Sequence, residues 1–172
     1  MACKPWNEAD GAPKGPKRQI LEVCTDSNSS IGIHNRDAAC SVVRITQEDD
    51  LLSAAGMTKA LKAAEVKGTL AVFALPCTGG SAWQHINLAK GHGKDKIEAH
   101  RTLFFRLLKA ASLIAKKVME NGGTIWFELP NSNWYWQTPQ LQQFVESFKL
   151  QKVVIDGCRF GLTAKGCPVK KP

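Results

Sequence analysis

The sequence contains no long apolar run and no secretory signal. No stretch approaches the roughly 20 consecutive apolar residues that a membrane-spanning helix needs, so we expect no membrane association. The first 17 residues are rich in proline, glycine and charge, and they lack the apolar core of a signal peptide. We therefore expect an intracellular protein, in the cytoplasm or the nucleus of a host cell, that is not secreted.

Metal-binding patterns are also missing. The six cysteines lie at positions 3, 24, 40, 77, 158 and 167, and no two of them have the Cys-x-x-Cys spacing of a structural zinc site. The four histidines are scattered and form no cluster with the cysteines. We predict no metal site, and we expect reduced thiols because disulfides are rare inside cells.

Acidic residues are few. The chain of 172 residues has 15 Asp and Glu against 23 Lys and Arg, which gives a formal net charge of +8. The basic excess is concentrated in residues 87–120 and 149–172. Such an excess favours a polyanionic partner, with nucleic acid first. The alternative is that the charge serves solubility alone.

Apolar segments rich in β-branched residues predict strands at residues 19–24, 40–46, 69–75 and 124–129. We expect Trp126 and Phe127, in the last of these segments, to lie in the core. Apolar residues at helical spacing predict helices over 58–66 and 97–120, and another beginning at Thr138-Pro139. This alternation predicts a three-layer α/β fold with a mostly parallel sheet. Residues 152–155 and 159–163 flank a tight joint and predict an antiparallel strand pair at the C-terminal end.

The predicted organisation has three parts. Residues 1–18 form a flexible basic arm, residues 19–164 form a single domain, and residues 165–172 form a basic tail. The tail is most simply a solvated charged segment.

Residues that could take part in a chemical reaction follow two of the predicted strands. Pro76-Cys77 follows the predicted strand at 69–75, and Glu128 ends the one at 124–129. Parallel neighbours would bring a thiol and a carboxyl group to one edge of the sheet. A thiolate can add to an electron-poor ring carbon, and a carboxylic acid can assist by protonating the ring nitrogen. The alternatives are a buried structural thiol at Cys77 and, for Glu128, a helix cap or a pair with a lysine.

Residues near these strand ends predict a binding site for a planar ligand. Gly79 and Gly80 would let the backbone pass close to such a ligand. Trp83 and Trp134 could stack on a nucleic-acid base. The aromatic residues around Trp134 could instead form a lid on the core.

The pair of motifs resembles the cytosine-C5 DNA methyltransferases, whose nucleophile motif is Pro-Cys and whose second motif begins with Glu. The resemblance implies a Rossmann-like sheet that binds S-adenosylmethionine, with Cys77 attacking the base and Glu128 contacting the ring nitrogen. It places cofactor contacts at Glu22, Thr25, Asp26, Ser27, Asn28, Arg44, Asp50 and Pro76. It places substrate contacts at Gly79, Gly80, Trp83, Trp134 and Arg159. The order of elements is also similar to methyltransferase-like segments in viral and mobile-element polyproteins.

Three hypotheses about function follow. The first is a methyltransferase-like domain that acts on a nucleic-acid base. The second is a catalytically degenerate module of the same fold that binds nucleic acid or a protein partner. The third is a different thiol-dependent enzyme that acts on a small metabolite. At Asp26 an ordinary turn residue is as good an interpretation as a cofactor contact.

Overall fold

The computed structural model describes residues 18–29, 31, 40–91, 93–155, 163–164 and 167–168. Its main sheet has four strands: β1 (Arg18–Val23), β2 (Cys40–Ile45), β3 (Leu70–Phe73) and β4 (Thr124–Phe127). The strands are all parallel and lie in the order β2-β1-β3-β4. This confirms the predicted α/β fold with a parallel, Rossmann-like sheet.

Four helices are described: α1 (Ala54–Ala64), α2 (Ala82–Ala89), α3 (Lys94–Glu120) and α4 (Pro139–Ser147). The helix α1 begins earlier than predicted because Ser53 caps it, with the Ser53 hydroxyl accepting a hydrogen bond from Gly56 N at 3.0 Å. Pro139 occupies the first turn of α4, as predicted. The sequence pattern gave no indication of α2. Two short 3₁₀ turns, Thr78–Gly80 and Trp134–Gln137, follow β3 and β4.

The core lies between one face of the sheet and three of the helices. Leu21 and Phe73 on that face are fully buried, as is Ile114 of α3. The helix α1 accepts a hydrogen bond at Ala63 O from Gln19 Nε2 at 2.7 Å. In α4, the Phe144 ring lies 6.4 Å from that of Phe73. Right-handed crossovers that run in one direction across a sheet place their helices on the same face, as here.

Two predictions about β4 and the segment at 151–155 are wrong. Residues 151–155 are exposed and form no strand, and none of the described strands pairs with them. Trp126, expected in the core, is 52% exposed because β4 is an edge strand and the Trp126 side chain points to the face opposite the helices.

The predicted antiparallel C-terminal pair is not supported, because its first segment, residues 152–155, forms no strand. Residues 159–162 lie outside the described part of the chain. The antiparallel contact that the structure does contain joins Thr163–Ala164 to Cys167–Pro168, two residues on each side, and it is separate from the main sheet. The predicted arm and most of the predicted tail also lie outside the described residues. None of the described helices combines the length and the apolar character needed to cross a membrane.

Candidate functional site

The carboxyl ends of all four strands meet at one side of the sheet, which we call the carboxyl edge. From β1 the chain continues to β2 on one side, whereas β3 lies on the other side of β1. A crevice forms where the strand order reverses in this way, and ligands of open α/β sheets bind there. The segments that follow β1, β2, β3 and β4 therefore define the candidate site.

The loop after β1 is organised by its own hydrogen bonds. Asp26 Oδ1 accepts from Asn28 N at 3.1 Å and from the Ser27 hydroxyl at 3.2 Å. Asp26 O accepts from Ser29 N at 3.1 Å. Cys24 enters the loop with a φ of 61°, which is unusual for a residue with a side chain. Asp26 is thus a turn residue in this structure, and it remains exposed together with Ser27 and Asn28.

Glu22 holds this loop against the sheet. It is 2% exposed and forms an ion pair with Arg44, with 3.1 Å between Glu22 Oε2 and Arg44 Nε. The Ser29 hydroxyl donates a short hydrogen bond to the other carboxylate oxygen. Arg44 Nη2 also donates to Ser29 O at 3.4 Å. Glu22 and Arg44, two of the eight residues predicted to contact a cofactor, therefore interact with each other and with the loop.

The acidic residues after β2 are also engaged within the protein. Asp49 accepts from Thr46 N at 2.9 Å and from Lys59 Nζ at 2.7 Å. The hydrogen bond from Lys59, followed by that from Thr46 N, holds the pKa of the Asp49 carboxyl below its ordinary value. Asp50, a predicted cofactor contact, accepts from Leu52 N at 3.1 Å and has a φ of 45°. It is exposed and shapes the turn.

Asn133 links the segments that follow β3 and β4. Its Nδ2 donates to Cys77 O at 2.9 Å, and its Oδ1 accepts from Tyr135 N at 3.0 Å. Cys77 is half-buried beside these groups, and Pro76 is exposed. Burial raises the pKa of the Cys24 thiol, which follows β1, to about 11. Sequence reasoning missed Asn133, although an Asn at this position fits its role as the cap of the 3₁₀ turn at 134–137.

Gly79 and Gly80 are required by the packing of the protein itself. Both are buried in the 3₁₀ turn after Cys77. A Cβ added at Gly79 would lie 3.0 Å from Arg101 N, and one added at Gly80 would lie 2.8 Å from Tyr135 Cδ2. The close backbone approach predicted for a planar ligand is here an approach to α3 and to the segment after β4.

Tyr135 is the fully buried centre of this region. Its ring stacks on Phe104, with ring centroids 3.7 Å apart and an interplanar angle of 7°. Burial raises the pKa of Tyr135 to about 12. Arg101 opposes this shift, whereas Cys77 and Glu98 add to it. Tyr135 thus joins α3 to the carboxyl edge.

The Arg101 guanidinium and the half-buried Trp134 ring lie beside this centre. The Arg101 guanidinium carbon is 4.5 Å from the centroid of the Trp134 ring, and Arg101 Nε donates to Gly79 O at 3.2 Å. Trp83, near the start of α2 and four residues beyond Gly79, is 73% exposed. We call Trp83, Arg101 and Trp134 the stacking rim. Arg101 was not among the predicted site residues.

Glu128 directly follows β4, and β4 is the neighbour of β3 in the sheet, as predicted. The backbone N of Glu128 donates to Phe73 O at 3.0 Å. Its carboxylate is exposed and lines a cavity of about 650 Å³ along β4, and Cys77 does not belong to the lining of that cavity. The structure therefore places Cys77 and Glu128 on neighbouring strand ends without joining them in one pocket. Arg159 lies outside the described residues.

The site can be classified by its fold and its chemistry. The chain is an α/β protein whose Rossmann-like parallel sheet carries a thiol, a stacking rim and basic residues at the carboxyl edge. No protein-family profile, curated protein or solved structure matches the chain. Within the described residues, no cluster of three or more His, Cys, Asp or Glu could hold a metal ion.

Proposed function

We propose that this protein is a nucleic-acid-binding module that holds unpaired bases at the stacking rim. The observation that carries the proposal is the position of Arg101, which lies over the Trp134 ring and is fixed to Gly79 O. The exposed indole of Trp83 lies a few residues along the same segment. Flat aromatic surfaces next to a fixed cation are typical of proteins that bind single-stranded nucleic acid.

The charge around the rim supports the same partner. Lys90, Lys94 and Lys96 are exposed in the segment that joins α2 to α3 and in the first turn of α3. None of them forms an ion pair within the described part of the chain. With the net charge of +8, these lysines supply contacts to phosphates. The affinity should therefore fall steeply as the salt concentration rises.

Fluorescence anisotropy with a labelled oligothymidylate at low salt tests this function. We expect Trp83→Ala to raise the Kd about tenfold, since base stacking contributes about 1–3 kcal/mol per base. Trp126→Ala is the matched control, because Trp126 is another exposed indole but lies on β4, outside the rim. Failure of the wild-type chain to bind at low salt would remove the proposal, and so would equal losses in the two variants.

A cytosine methyltransferase-like activity is the second candidate, and Cys77 and Glu128 support it. They follow neighbouring parallel strands, and neither side chain has a hydrogen-bond partner among the described residues. S-adenosylmethionine does not fit the residues predicted to hold it. Glu22 and Arg44 are paired with each other, and Asp26 and Asp50 accept hydrogen bonds from their own turns.

Thiol alkylation separates this candidate from a structural cysteine. An activated nucleophile at Cys77 would react faster than the same cysteine in the unfolded chain, because the thiolate is the reactive form. Cys24, whose thiol pKa is raised to about 11 by burial, is the internal reference for a protected thiol. If folding slows the reaction of Cys77 as it slows that of Cys24, the catalytic role is lost.

A further inference from the structure

The open edge of β4 forms one wall of an apolar groove away from the stacking rim. The cavity of about 650 Å³ is lined by β4 and Glu128 and by residues that include 150–155. We call it the β4 groove. Its apolar walls are unusually exposed: Trp126 is 52% exposed, and Val153, Val154 and Ile155 are between 45% and 75% exposed. Such a patch next to a sheet edge is typical of an interaction surface.

On its outer side, β4 has backbone hydrogen-bonding groups that no described residue pairs with. Thr124 N donates to Thr69 O at 2.9 Å, and Glu128 N donates to Phe73 O at 3.0 Å. Successive residues of a strand direct their N–H and C=O groups to opposite sides. Because Thr124 and Glu128 pair with β3, the N–H and C=O groups of Ile125 and Phe127 point away from β3. Among the described residues no strand pairs with that side of β4. Unpaired edges of this kind accept an added strand.

The negative charge of Glu128 indicates which side chains an added strand should carry. The Glu128 carboxylate lines the groove and has no ion-pair partner within the described residues. The Lys152 ammonium lies 5.2 Å from the centroid of the Trp136 ring, and so it is held against the indole. A basic side chain on the bound strand would complement Glu128.

We propose that the β4 groove binds an extended peptide segment of a protein partner, which adds to β4 as a fifth strand. The backbone of the segment pairs with Ile125 and Phe127. Its apolar side chains cover Trp126 and Val153, and one Lys or Arg faces Glu128. This proposal is independent of nucleic-acid binding, because the groove shares no residue with the stacking rim.

The test uses a fluorescein-labelled peptide, Thr-Val-Thr-Arg-Thr-Val, with the full chain, so that Arg and two Val lie on one face of the added strand as Glu128 and Trp126 do on β4. Two comparison peptides carry Glu in place of Arg or N-methyl groups on alternate amides. We expect saturable binding of the first peptide and a loss of about tenfold or more on N-methylation, since two hydrogen bonds are removed. Glu128→Gln should weaken binding of the Arg peptide about threefold to fivefold and should not weaken binding of the Glu peptide.

Three results would overturn the proposal, each with folding checked by circular dichroism. One is equal binding of the N-methylated peptide, and another is the absence of saturable binding. The third is a chain that binds no peptide but self-associates in light scattering, with the self-association abolished by Ile125→Pro. Ile125→Pro removes an N–H from the open edge only, where proline is tolerated. Trp83→Ala, which tests the nucleic-acid function, should leave peptide binding unchanged.

Discussion

Among single residues, Glu22 has the most demanding environment. A buried carboxylate is stable only when hydrogen bonds and an opposite charge replace its water. Arg44 on β2 and the Ser29 hydroxyl supply them, so Glu22 fastens both the neighbouring strand and the loop that follows β1. The residue predicted to contact a cofactor is therefore part of the support of the crevice.

Glu22→Gln should reduce the free energy of unfolding by about 2 kcal/mol, because Arg44 loses its ionic partner in a largely buried setting. Urea denaturation followed by circular dichroism measures this change. Glu48→Gln, at an exposed carboxylate in the turn after β2, is the control and should change stability by less than about 0.5 kcal/mol. Equal effects of the two substitutions would contradict the role of Glu22.

Tyr135 permits a titration without mutagenesis, since it is the single tyrosine of the chain. Burial raises its pKa from 10.0 to about 12. The folded state thus favours the neutral phenol. The stability gained in this way is fully present below pH 10.0 and is lost as the pH rises through about 12. Ultraviolet absorbance of tyrosinate should show ionisation near pH 12 in the folded chain and near 10.0 in denaturant. Ionisation at the lower pH in the folded chain would contradict the packing of Tyr135.

At the scale of elements, the 3₁₀ turn at Thr78–Gly80 sets how closely β3, α3 and the segment after β4 approach one another. The turn has space for glycine alone at two consecutive positions. The stacking rim depends on this approach, because Arg101 reaches Gly79 O from α3.

Gly80→Ala should lower the free energy of unfolding by about 1–3 kcal/mol, since its Cβ would overlap the Tyr135 ring and Asn133. It should also weaken oligonucleotide binding by displacing Trp134. Ser81→Ala is a matched control in the next position, because the Ser81 side chain makes no capping hydrogen bond. Thermal unfolding and anisotropy measure the two effects, and an unchanged Gly80→Ala protein would refute the packing argument.

The strands were the most predictable elements. The apolar run at 69–75 and the helical spacing in 97–120 report burial directly, so β3 and α3 were recognised from the sequence. Residues 152–155 have equal strand propensity but form no strand, which shows that propensity alone does not decide where a strand forms. Trp126 was expected in the core, but its burial depends on whether another strand follows β4 in the sheet, which composition does not encode.

The candidate site was predictable only in part. Chain order and parallel pairing correctly placed Cys77 and Glu128 on neighbouring strand ends. Whether they share a pocket depends on how each chain segment leaves the sheet, and Glu128 lines the β4 groove without Cys77. The contacts of Arg101 and Asn133 span 22 and 56 residues of sequence, so no local pattern could have indicated them.

At the scale of the whole molecule, the segments after β1 and β2 differ from those after β3 and β4 in how their side chains are engaged. The side chains after β1 and β2 are bound to one another and to their own loops. The segments after β3 and β4 carry the exposed Trp83 indole, exposed lysines and the half-buried Cys77 thiol. These groups therefore lie on one half of the carboxyl edge.

Isothermal titration with S-adenosylmethionine should accordingly show no saturable heat up to millimolar ligand. The physical reason is that a ribose could reach Glu22 only by displacing Arg44 and Ser29. Titration with oligothymidylate at low salt is the positive control in the same instrument. If S-adenosylmethionine binds saturably and Glu22→Gln abolishes that binding, this conclusion is reversed and the methyltransferase-like candidate is favoured.

The bridge through Asn133 has a practical consequence. One side chain ties Cys77 O to Tyr135 N, and the next residue along is Trp134 of the stacking rim. A movement of Trp134 is therefore transmitted through this amide to the backbone of the half-buried cysteine, beside the second route from Arg101 to Gly79 O. A small environment-sensitive dye attached to Cys77 would report such a movement, and Asn133→Ala is the variant in which the route through the amide is removed.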